Sequence, residues 1–260
     1  MDQIEIHKIV RANWVLNGDC LNLIGELSSQ DIADISNLEK IRVIQPWKFM
    51  PSEKTWMELN EHIFPEKPET KLHIWSDTLK SDFIFLSKMS NVKILDLNQV
   101  KFKEKETLKG LRQLKDLTLI NGNVNELDFL KNLHNLEYLE LGRIRGLTNI
   151  SFVSNLIKLK SLEINNQTQV TKLPEFNKLP ELQTVRLITL KNLKDVSNLS
   201  QIVNLEGLSF YALNTETEPE QFDFLRNMKK LRQVNSYFNK KDKRQRFELF
   251  KNQILNIKST

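Results

Sequence analysis

The chain has 260 residues, and its 38 lysines and arginines outnumber its 33 aspartates and glutamates by five. The single cysteine, Cys20, excludes an intramolecular disulfide and a zinc site built from several cysteines, and such usage is typical of a reducing compartment. Neither a signal-peptide core nor an apolar run of about twenty residues is present, so the sequence predicts a cytoplasmic protein without a membrane span.

Residues 1–68 are the least regular part of the sequence. Apolar residues alternate with polar ones at Ile4 and Ile6 and again at Trp14 and Leu16, which predicts short strands. Steps of three, three, three and two residues then connect Ile32, Ile35, Leu38, Ile41 and Val43. This spacing indicates an early repeat unit.

An insertion at residues 46–68 interrupts the spacing. It contains a short helix, predicted to begin near Ser52. One face of this helix is apolar and consists of Trp56, Leu59 and Ile63. Because terminal repeats must cover an otherwise exposed core edge, we interpret residues 1–68 as an N-terminal capping region with degenerate repeats and one insertion.

From Leu72 onward one unit recurs with a nearly constant period. The first apolar strand position of successive units falls at Leu72, Leu95, Leu117, Leu139, Leu162, Val185, Leu208 and Val234. The steps between these positions are 23, 22, 22, 23, 23, 23 and 26 residues, and the last step contains the acidic loop 215–220. Seven linked periods in this range predict a repeat array over residues 69–238.

Each unit combines two spacings. Leu139 and Leu141 are two residues apart and therefore point to one side of a short strand. The three leucines before them, Leu130, Leu133 and Leu136, are three residues apart, which is typical of a 3₁₀-like return segment. Because a single unit cannot bury its apolar face, neighbouring units must stack and their strands must pair in parallel.

The fold predicted from these units is an α/β solenoid. It is a curved repeat array with a parallel sheet on its concave face and 3₁₀-like segments on its convex side. Phenylalanines recur just before the return segments, and we expect them to pack inside the convex side: Phe85, Phe129, Phe152 and Phe224.

The last residues predict an amphipathic helix. Its apolar side chains follow at steps of three, four and three residues, at Phe247, Phe250, Ile254 and Ile257. From Lys240 onward the chain carries seven basic and two acidic residues, so the whole positive excess of the protein lies here. We therefore predict that residues 239–260 form a basic C-terminal capping helix that covers the last repeat.

The segments VNELDFLKNLHNLEYLELG and LKDVSNLSQIVNLEGLSF resemble the short SDS22-like repeats of the leucine-rich repeat superfamily, as found in internalin-type bacterial proteins. The resemblance covers about residues 69–238 and implies recognition of a partner protein, usually on the concave face, without any chemistry. The usual asparagine between adjacent turns is replaced by Val100, Gly122, Ile144, Gln167, Leu190 and Leu213. We therefore expect apolar packing to hold most of the turns that follow the strands.

Residues that alternate with the buried strand positions face outward from the predicted concave sheet. They include four acidic residues, Asp96, Asp116, Glu140 and Glu163, and six apolar or aromatic ones, Trp75, Ile120, Tyr138, Ile188, Tyr211 and Tyr237. The predicted partner-binding set is completed by His73, Thr118 and Arg186. Exposed aromatic residues surrounded by charge are typical of interface hot spots, and a row of like charge attracts a partner of opposite sign. The alternative is that these positions are polar by default and that the two C-terminal tyrosines pack against the terminal helix.

The sequence offers no recognisable catalytic or metal-binding motif. Its four histidines are scattered, at His7, His62, His73 and His134. Seven glycines leave few places for a phosphate-binding loop. His73 lies near Asp96 on the predicted concave face, but no nucleophile accompanies them, so we interpret it as an interface histidine. We therefore predict a protein that is not an enzyme and uses no cofactor or metal.

These patterns favour a non-catalytic scaffold, monomeric by itself, that binds a partner protein on its concave face. Abundant lysine, asparagine and isoleucine fit an AT-rich bacterial genome. A narrower hypothesis is an immunity (antitoxin) protein whose acidic face clamps a basic toxin. One alternative is nucleic-acid or anionic-surface binding through Lys240–Arg246, which is disfavoured because no stacking aromatic residues are interleaved with the charges. Another is a self-associating adaptor that uses the Trp47–Trp56 insertion.

Overall fold

The computed structural model describes residues 8–75, 83–99, 107–123 and 127–259, with side chains to residue 254. The chain divides into two compact units, residues 1–118 (unit 1) and 119–260 (unit 2). The strand predicted at Ile4 and Ile6, and the turn position Val100, lie outside the described residues. The boundaries predicted after residues 68 and 238 stay predictions.

Unit 1 begins with antiparallel strands and continues with parallel ones. Its strands are β1 (Lys8–Val10), β2 (Trp14–Asn17), β3 (Cys20–Leu23), β4 (Val43–Pro46), β5 (Lys71–Trp75) and β6 (Ile94–Asn98), and the next strand, β7 (Asp116–Ile120), contains the boundary between the units. Strands β1 to β3 pair antiparallel, whereas β3 to β6 pair parallel in chain order. The strand predicted at Trp14 and Leu16 is therefore confirmed, and parallel stacking begins at β3.

The early repeat of unit 1 contains an α-helix, α1 (Ser29–Ser36), where a return segment of the array repeats would be 3₁₀-like. A capping box explains the difference: the Ser28 hydroxyl accepts a hydrogen bond from the Asp31 amide, and the Asp31 carboxylate accepts one from the Ser28 amide. Such reciprocal pairing satisfies two amides that a helix start leaves without partners. Ile32 and Ile35 are buried on the inner face of this helix.

The insertion at 46–68 contains helix α2 (Glu53–His62), which begins after Ser52 as predicted. The Glu26 carboxylate accepts hydrogen bonds from the Ser52 amide at 2.7 Å and from the Thr55 hydroxyl at 2.7 Å, which ties the helix start to the loop after β3. Trp56 is fully buried, and its ring stacks on that of Phe85 with centroids 4.7 Å apart. Trp56 is therefore part of the core and not of an outer surface.

Unit 2 alternates parallel strands with 3₁₀ segments. Its strands are β8 (Tyr138–Gly142), β9 (Ser161–Asn165), β10 (Thr184–Ile188), β11 (Gly207–Tyr211) and β12 (Gln233–Tyr237). The return segments include 3₁₀ turns at Asp128–Asn132, Ser151–Asn155, Ser197–Gln201 and Pro219–Asn227, and unit 1 has one at Ile84–Lys88. Successive strands of unit 2 start 23, 23, 23 and 26 residues apart, so the predicted register is confirmed.

The two spacings of the repeat produce the predicted core. Strand residues alternate between buried and outward positions, and Leu139, Leu141, Leu162 and Ile164 are fully buried. The leucines of the return segments, such as Leu156 and Leu159, are buried opposite them. Among the predicted phenylalanines, Phe85 and Phe152 are buried, whereas Phe129 and Phe224 are half-buried.

The residue after each of the strands β6 to β11 has a left-handed backbone. Its φ is between 50° and 60° at Gln99, Asn121, Arg143, Asn166, Thr189 and Ala212. This conformation turns the chain away from the strand while the amide still continues the ladder, as where the Thr189 amide donates to the Tyr211 carbonyl at 2.8 Å. A left-handed φ is unfavourable for a β-branched residue, so Thr189 is the most strained of these positions.

The turns that follow are mostly apolar, as expected, with one exception. Ile144, Leu190 and Leu213 are buried. Gln167 is also buried, and with its amide oriented toward its partners it donates to the Ile144 carbonyl at 3.1 Å and accepts from the Ile144 amide at 2.6 Å. This side chain therefore makes the inter-turn hydrogen bonds that the asparagine of the repeat usually provides.

Helix α3 (Lys241–Ser259) ends the chain and covers the last repeat as predicted. The Phe247 ring lies 5.2 Å from that of Phe210, 5.5 Å from that of Phe222 and 5.3 Å from that of Phe238. The helix begins at Lys241, so the basic residues of the tail lie within it except for Lys240.

Candidate functional site

The outward side chains of unit 2 stand in columns, because the parallel strands pair without a register shift. The central column is Glu140, Glu163, Arg186, Ser209 and Asn235, each directly opposite the next. One flanking column is Tyr138, Ser161, Thr184, Gly207 and Gln233, and the other is Gly142, Asn165, Ile188, Tyr211 and Tyr237. We call these three columns the unit 2 strand face.

The acidic residues of the unit 2 strand face have partners within it. Glu163 is buried, and its carboxylate lies 3.2 Å from the guanidinium of Arg186 on the next strand. The Tyr138 hydroxyl donates to the Glu140 carboxylate at 3.3 Å. Glu163 is therefore neutralised locally and serves to orient Arg186, while Glu140 is half-exposed.

The unit 1 strand face consists of the outward residues of β5, β6 and the start of β7, including a charged cluster. His73 lies directly opposite Asp96, with its Nδ1 3.1 Å from the carboxylate, and the Lys71 ammonium lies 3.9 Å from the same carboxylate. Burial raises the pKa of Asp116, and the nearby Lys71 opposes this shift. Thr118 is buried. The acidic residues of this face are therefore also partly neutralised by their neighbours.

The predicted aromatic and apolar contacts differ in exposure. Trp75, the last residue of β5, is 52% exposed, and Tyr237, the last residue of β12, is 48% exposed. The Arg244 guanidinium of α3 lies over the Tyr237 ring at 5.1 Å, so the terminal helix does contact this tyrosine. The other predicted members are half-buried: Ile120, Tyr138, Ile188 and Tyr211.

A cavity of about 440 Å³ opens on the unit 2 strand face over β10, β11 and β12. Its lining includes the predicted residues Arg186 and Tyr211 and residues that sequence reasoning missed, notably Glu206, Gly207 and Arg232. Gly207 was visible in the sequence as a missing side chain in its column. Glu206 and Arg232 come just before strands β11 and β12, and the sequence analysis assigned outward positions only to residues within the strands.

The basic residues of α3 are largely engaged in contacts with the last repeat. Lys243 is buried and donates to the carbonyls of Thr215 and Thr217 at 2.8 and 2.9 Å, and its ammonium lies 2.6 Å from the Glu218 carboxylate. The Arg246 guanidinium also pairs with Glu218, at 2.7 Å. The acidic loop 215–220 thus binds the basic helix.

No group of three His, Cys, Asp or Glu side chains that could hold a metal ion occurs among residues 8–75, 83–99, 107–123 and 127–254. His62 lies 3.5 Å from Glu58 on the same helix, and His134 is exposed on a return segment. No helix within the described residues is both long and apolar enough to cross a membrane.

Comparison with solved structures identifies the architecture. An internalin (inlF) from Listeria monocytogenes is 20% identical, with a TM-score of 0.50 over 81% of this chain and 66% of the internalin chain. The leucine-rich repeat domain of the type III effector XopL is 15% identical, with a TM-score of 0.52 over 84% of this chain and 76% of that domain. This chain therefore spans just under two thirds of the internalin's length. No protein-family model matches the sequence, and no curated protein sequence matches it.

Proposed function

We propose that this chain, which has the leucine-rich repeat fold, is a non-catalytic protein that binds a partner protein through its strand faces. The observation that carries the proposal is the composition of these faces, where exposed or half-exposed aromatic and apolar side chains stand beside charged ones in register columns. Aromatic side chains in such a setting dominate the energy of many interfaces. We propose that the protein acts as a monomeric, cytoplasmic scaffold.

The test compares two apolar residues of the strand faces with one on the opposite side. Trp75→Ala and Ile188→Ala remove apolar contacts from the faces of unit 1 and unit 2. Ile157→Ala is the matched control, because Ile157 follows a 3₁₀ segment and is 50% exposed, close to the 52% of Trp75. The tagged full-length protein is used to capture a partner from lysate of its host, and the partner's affinity is then measured with purified components.

We expect at least one strand-face variant to weaken partner binding about tenfold or more, as hot-spot truncations do. The Ile157→Ala variant should bind like the unaltered protein. If Ile157→Ala alone weakens binding, the partner contacts the return segments and the strand-face proposal is wrong.

Within this class we propose the narrower role of an immunity protein that neutralises a basic toxin. Its support is the acidic composition of the strand faces, in which Glu140 and Asp116 are half-exposed. The pairing of Glu163 with Arg186 and of Asp96 with Lys71 limits the available negative charge to fewer residues than the sequence indicated. The predicted partner is a basic protein that arrests growth when produced alone and not when co-produced with this chain. An acidic or harmless partner would overturn this role and leave the broader proposal intact.

The two alternative functions receive less support. Lys243 and Arg246 of the basic segment are engaged by the acidic loop, which reduces the charge offered to a phosphate backbone. In the insertion, Trp56 is buried, whereas Trp47 is 51% exposed and is the residue through which self-association would act. Sedimentation velocity at several concentrations tests this alternative. A self-associating adaptor would form oligomers that the Trp47→Ala variant does not form, whereas a monomer would sediment identically in both forms.

A further inference from the structure

The cavity on β10, β11 and β12 arises from a local change in side-chain size. Strand β11 places Gly207 and Ser209 between Thr184 and Arg186 on one side and the longer Gln233 and Asn235 on the other. At Gly207 a Cβ would approach no atom closer than 3.7 Å, so the backbone does not require glycine for space. The cavity is therefore a property of the strand face, and its volume of about 440 Å³ suits an inserted side chain.

The chemistry of the cavity is dominated by hydrogen-bond donors. Two guanidinium groups, of Arg186 and Arg232, contribute up to five N–H donors each. Hydroxyl groups of Thr184, Ser209 and Tyr211 add further donors. Glu206 is the one carboxylate among the described residues that line the cavity, so the lining carries a net positive charge.

The two arginines are in different states. The buried carboxylate of Glu163 contacts Arg186 through Nη1, which fixes the guanidinium and leaves its other donors available. The Arg232 side chain has no ion pair or hydrogen bond with any residue in the described part of the chain. A cavity lined by one oriented guanidinium and one unpaired guanidinium is suited to a carboxylate, which can accept two parallel N–H bonds from an arginine.

We propose that this cavity binds an acidic side chain, aspartate or glutamate, of the partner protein. The proposal rests on the proposed function and adds to it the chemistry of one contact. This contact uses positively charged residues of the strand face, in contrast to the acidic residues that the sequence predicted to attract the partner. Arg232 and Arg186 contact the carboxylate, and Glu163 is a positioning residue for Arg186.

The probe is a short blocked peptide, acetyl-Gly-Glu-Gly-amide, titrated into the full-length protein labelled with ¹⁵N-arginine. The matched peptides carry glutamine or lysine in place of glutamate, and a fourth carries glutamine and an unblocked carboxyl terminus. Arg232→Ala removes the unpaired guanidinium, and Gly207→Val fills the cavity. Lys229→Ala is the control, because Lys229 is exposed, equally charged and outside the lining.

The glutamate peptide should shift the Nε signals of Arg186 and Arg232 in a saturable way, whereas the glutamine and lysine peptides should not. Arg232→Ala should weaken this binding about tenfold or more, the loss typical of a charge-assisted hydrogen bond, and Gly207→Val should abolish it. Lys229→Ala should leave it unchanged.

Equal binding of the glutamate and glutamine peptides, or shifts confined to other arginines, would overturn the proposal. Binding of only the peptide with an unblocked terminus would replace the acidic side chain by a chain end. If inorganic phosphate binds more tightly than the glutamate peptide and displaces it, the cavity is a phosphate site and the acidic-side-chain proposal is wrong. These outcomes are independent of the Trp75→Ala and Ile188→Ala test, because neither residue lines the cavity.

Discussion

Replacing Lys243 by methionine tests whether the basic terminal helix is held by its charge. Methionine keeps an unbranched apolar stem of similar length and removes only the ammonium group. Two carbonyls accept from this ammonium: the Thr217 carbonyl would then lose a donor in a buried site, and the Thr215 carbonyl would lose one in a partly buried site.

The magnitude follows from these contacts. A buried acceptor left without its partner costs about 1–3 kcal/mol. The ion pair with Glu218 adds little, because that glutamate is 44% exposed and solvent screens the pair. Since only the Thr217 carbonyl is fully buried and the methionine also removes the cost of burying a charge, we expect a net loss of about 1–3 kcal/mol in the free energy of unfolding.

The assay is urea denaturation followed by circular dichroism, together with hydrogen exchange of residues 241–254. Hydrogen exchange detects a loss that is confined to α3 and the acidic loop, because the last units of a repeat array open before the rest. Lys241→Met is the matched control, since Lys241 lies in the same helix and is exposed. If Lys243→Met is as stable as Lys241→Met by both measurements, the ammonium does not hold the helix, and the reasoning fails.

Three further predictions concern other parts of the fold. Thr189→Asn should raise the free energy of unfolding by about 0.5–1 kcal/mol in a denaturant titration, because asparagine tolerates the left-handed φ of 54° better than a β-branched residue. Gly110→Ala should destabilise the protein by at least about 1–3 kcal/mol, since the new Cβ would overlap the Ser87 carbonyl oxygen, whereas Gly207→Ala should be tolerated. Hydrogen bonds from Lys243 and Arg246 lower the pKa of Glu218 below its usual 4.5, so its stabilising contribution is present above that pH and is lost as the pH falls through the folded pKa. Glu218→Gln should flatten this acid-side loss in a pH series of thermal unfolding, and an unchanged profile would contradict the assignment.

Much of the fold could be predicted because the repeat imposes two periods at once. Leu139 and Leu141 define a strand by their spacing of two, and the leucines before them define a return segment by their spacing of three. Either spacing alone is compatible with several structures, whereas the two spacings together are compatible only with a stacked repeat array. The left-handed residue after strands β6 to β11 left no such signal, because Gln99, Arg143 and Ala212 share no side-chain property.

Helix α1 and Gln167 show how local hydrogen bonds can alter a repeat without changing its period. The capping box of Ser28 and Asp31 favours an α-helix where the array repeats have 3₁₀ turns. Gln167 reaches the adjacent turn, as an asparagine would, although its side chain is one methylene longer. In both cases the residue type was visible in the sequence, but its partner is defined only by the folded backbone.

The acidic strand face was predicted from residue type. The spacing of the repeats also shows which basic residues lie beside these acidic ones on neighbouring strands and can neutralise them. Arg186 lies one period after Glu163, and Asp96 lies one period after His73, so each pair occupies adjacent positions in one column. The Glu163 and Arg186 pair converts part of the acidic stripe into an internal ion pair, whereas Glu206 and Arg232 also lie side by side just before adjacent strands and do not pair. What the period cannot supply is an unpaired charge such as Arg232, because its availability depends on where every neighbouring side chain ends. The repeat spacing therefore predicts which charged residues lie side by side, but it does not predict that Arg232 makes no ion pair with the adjacent Glu206.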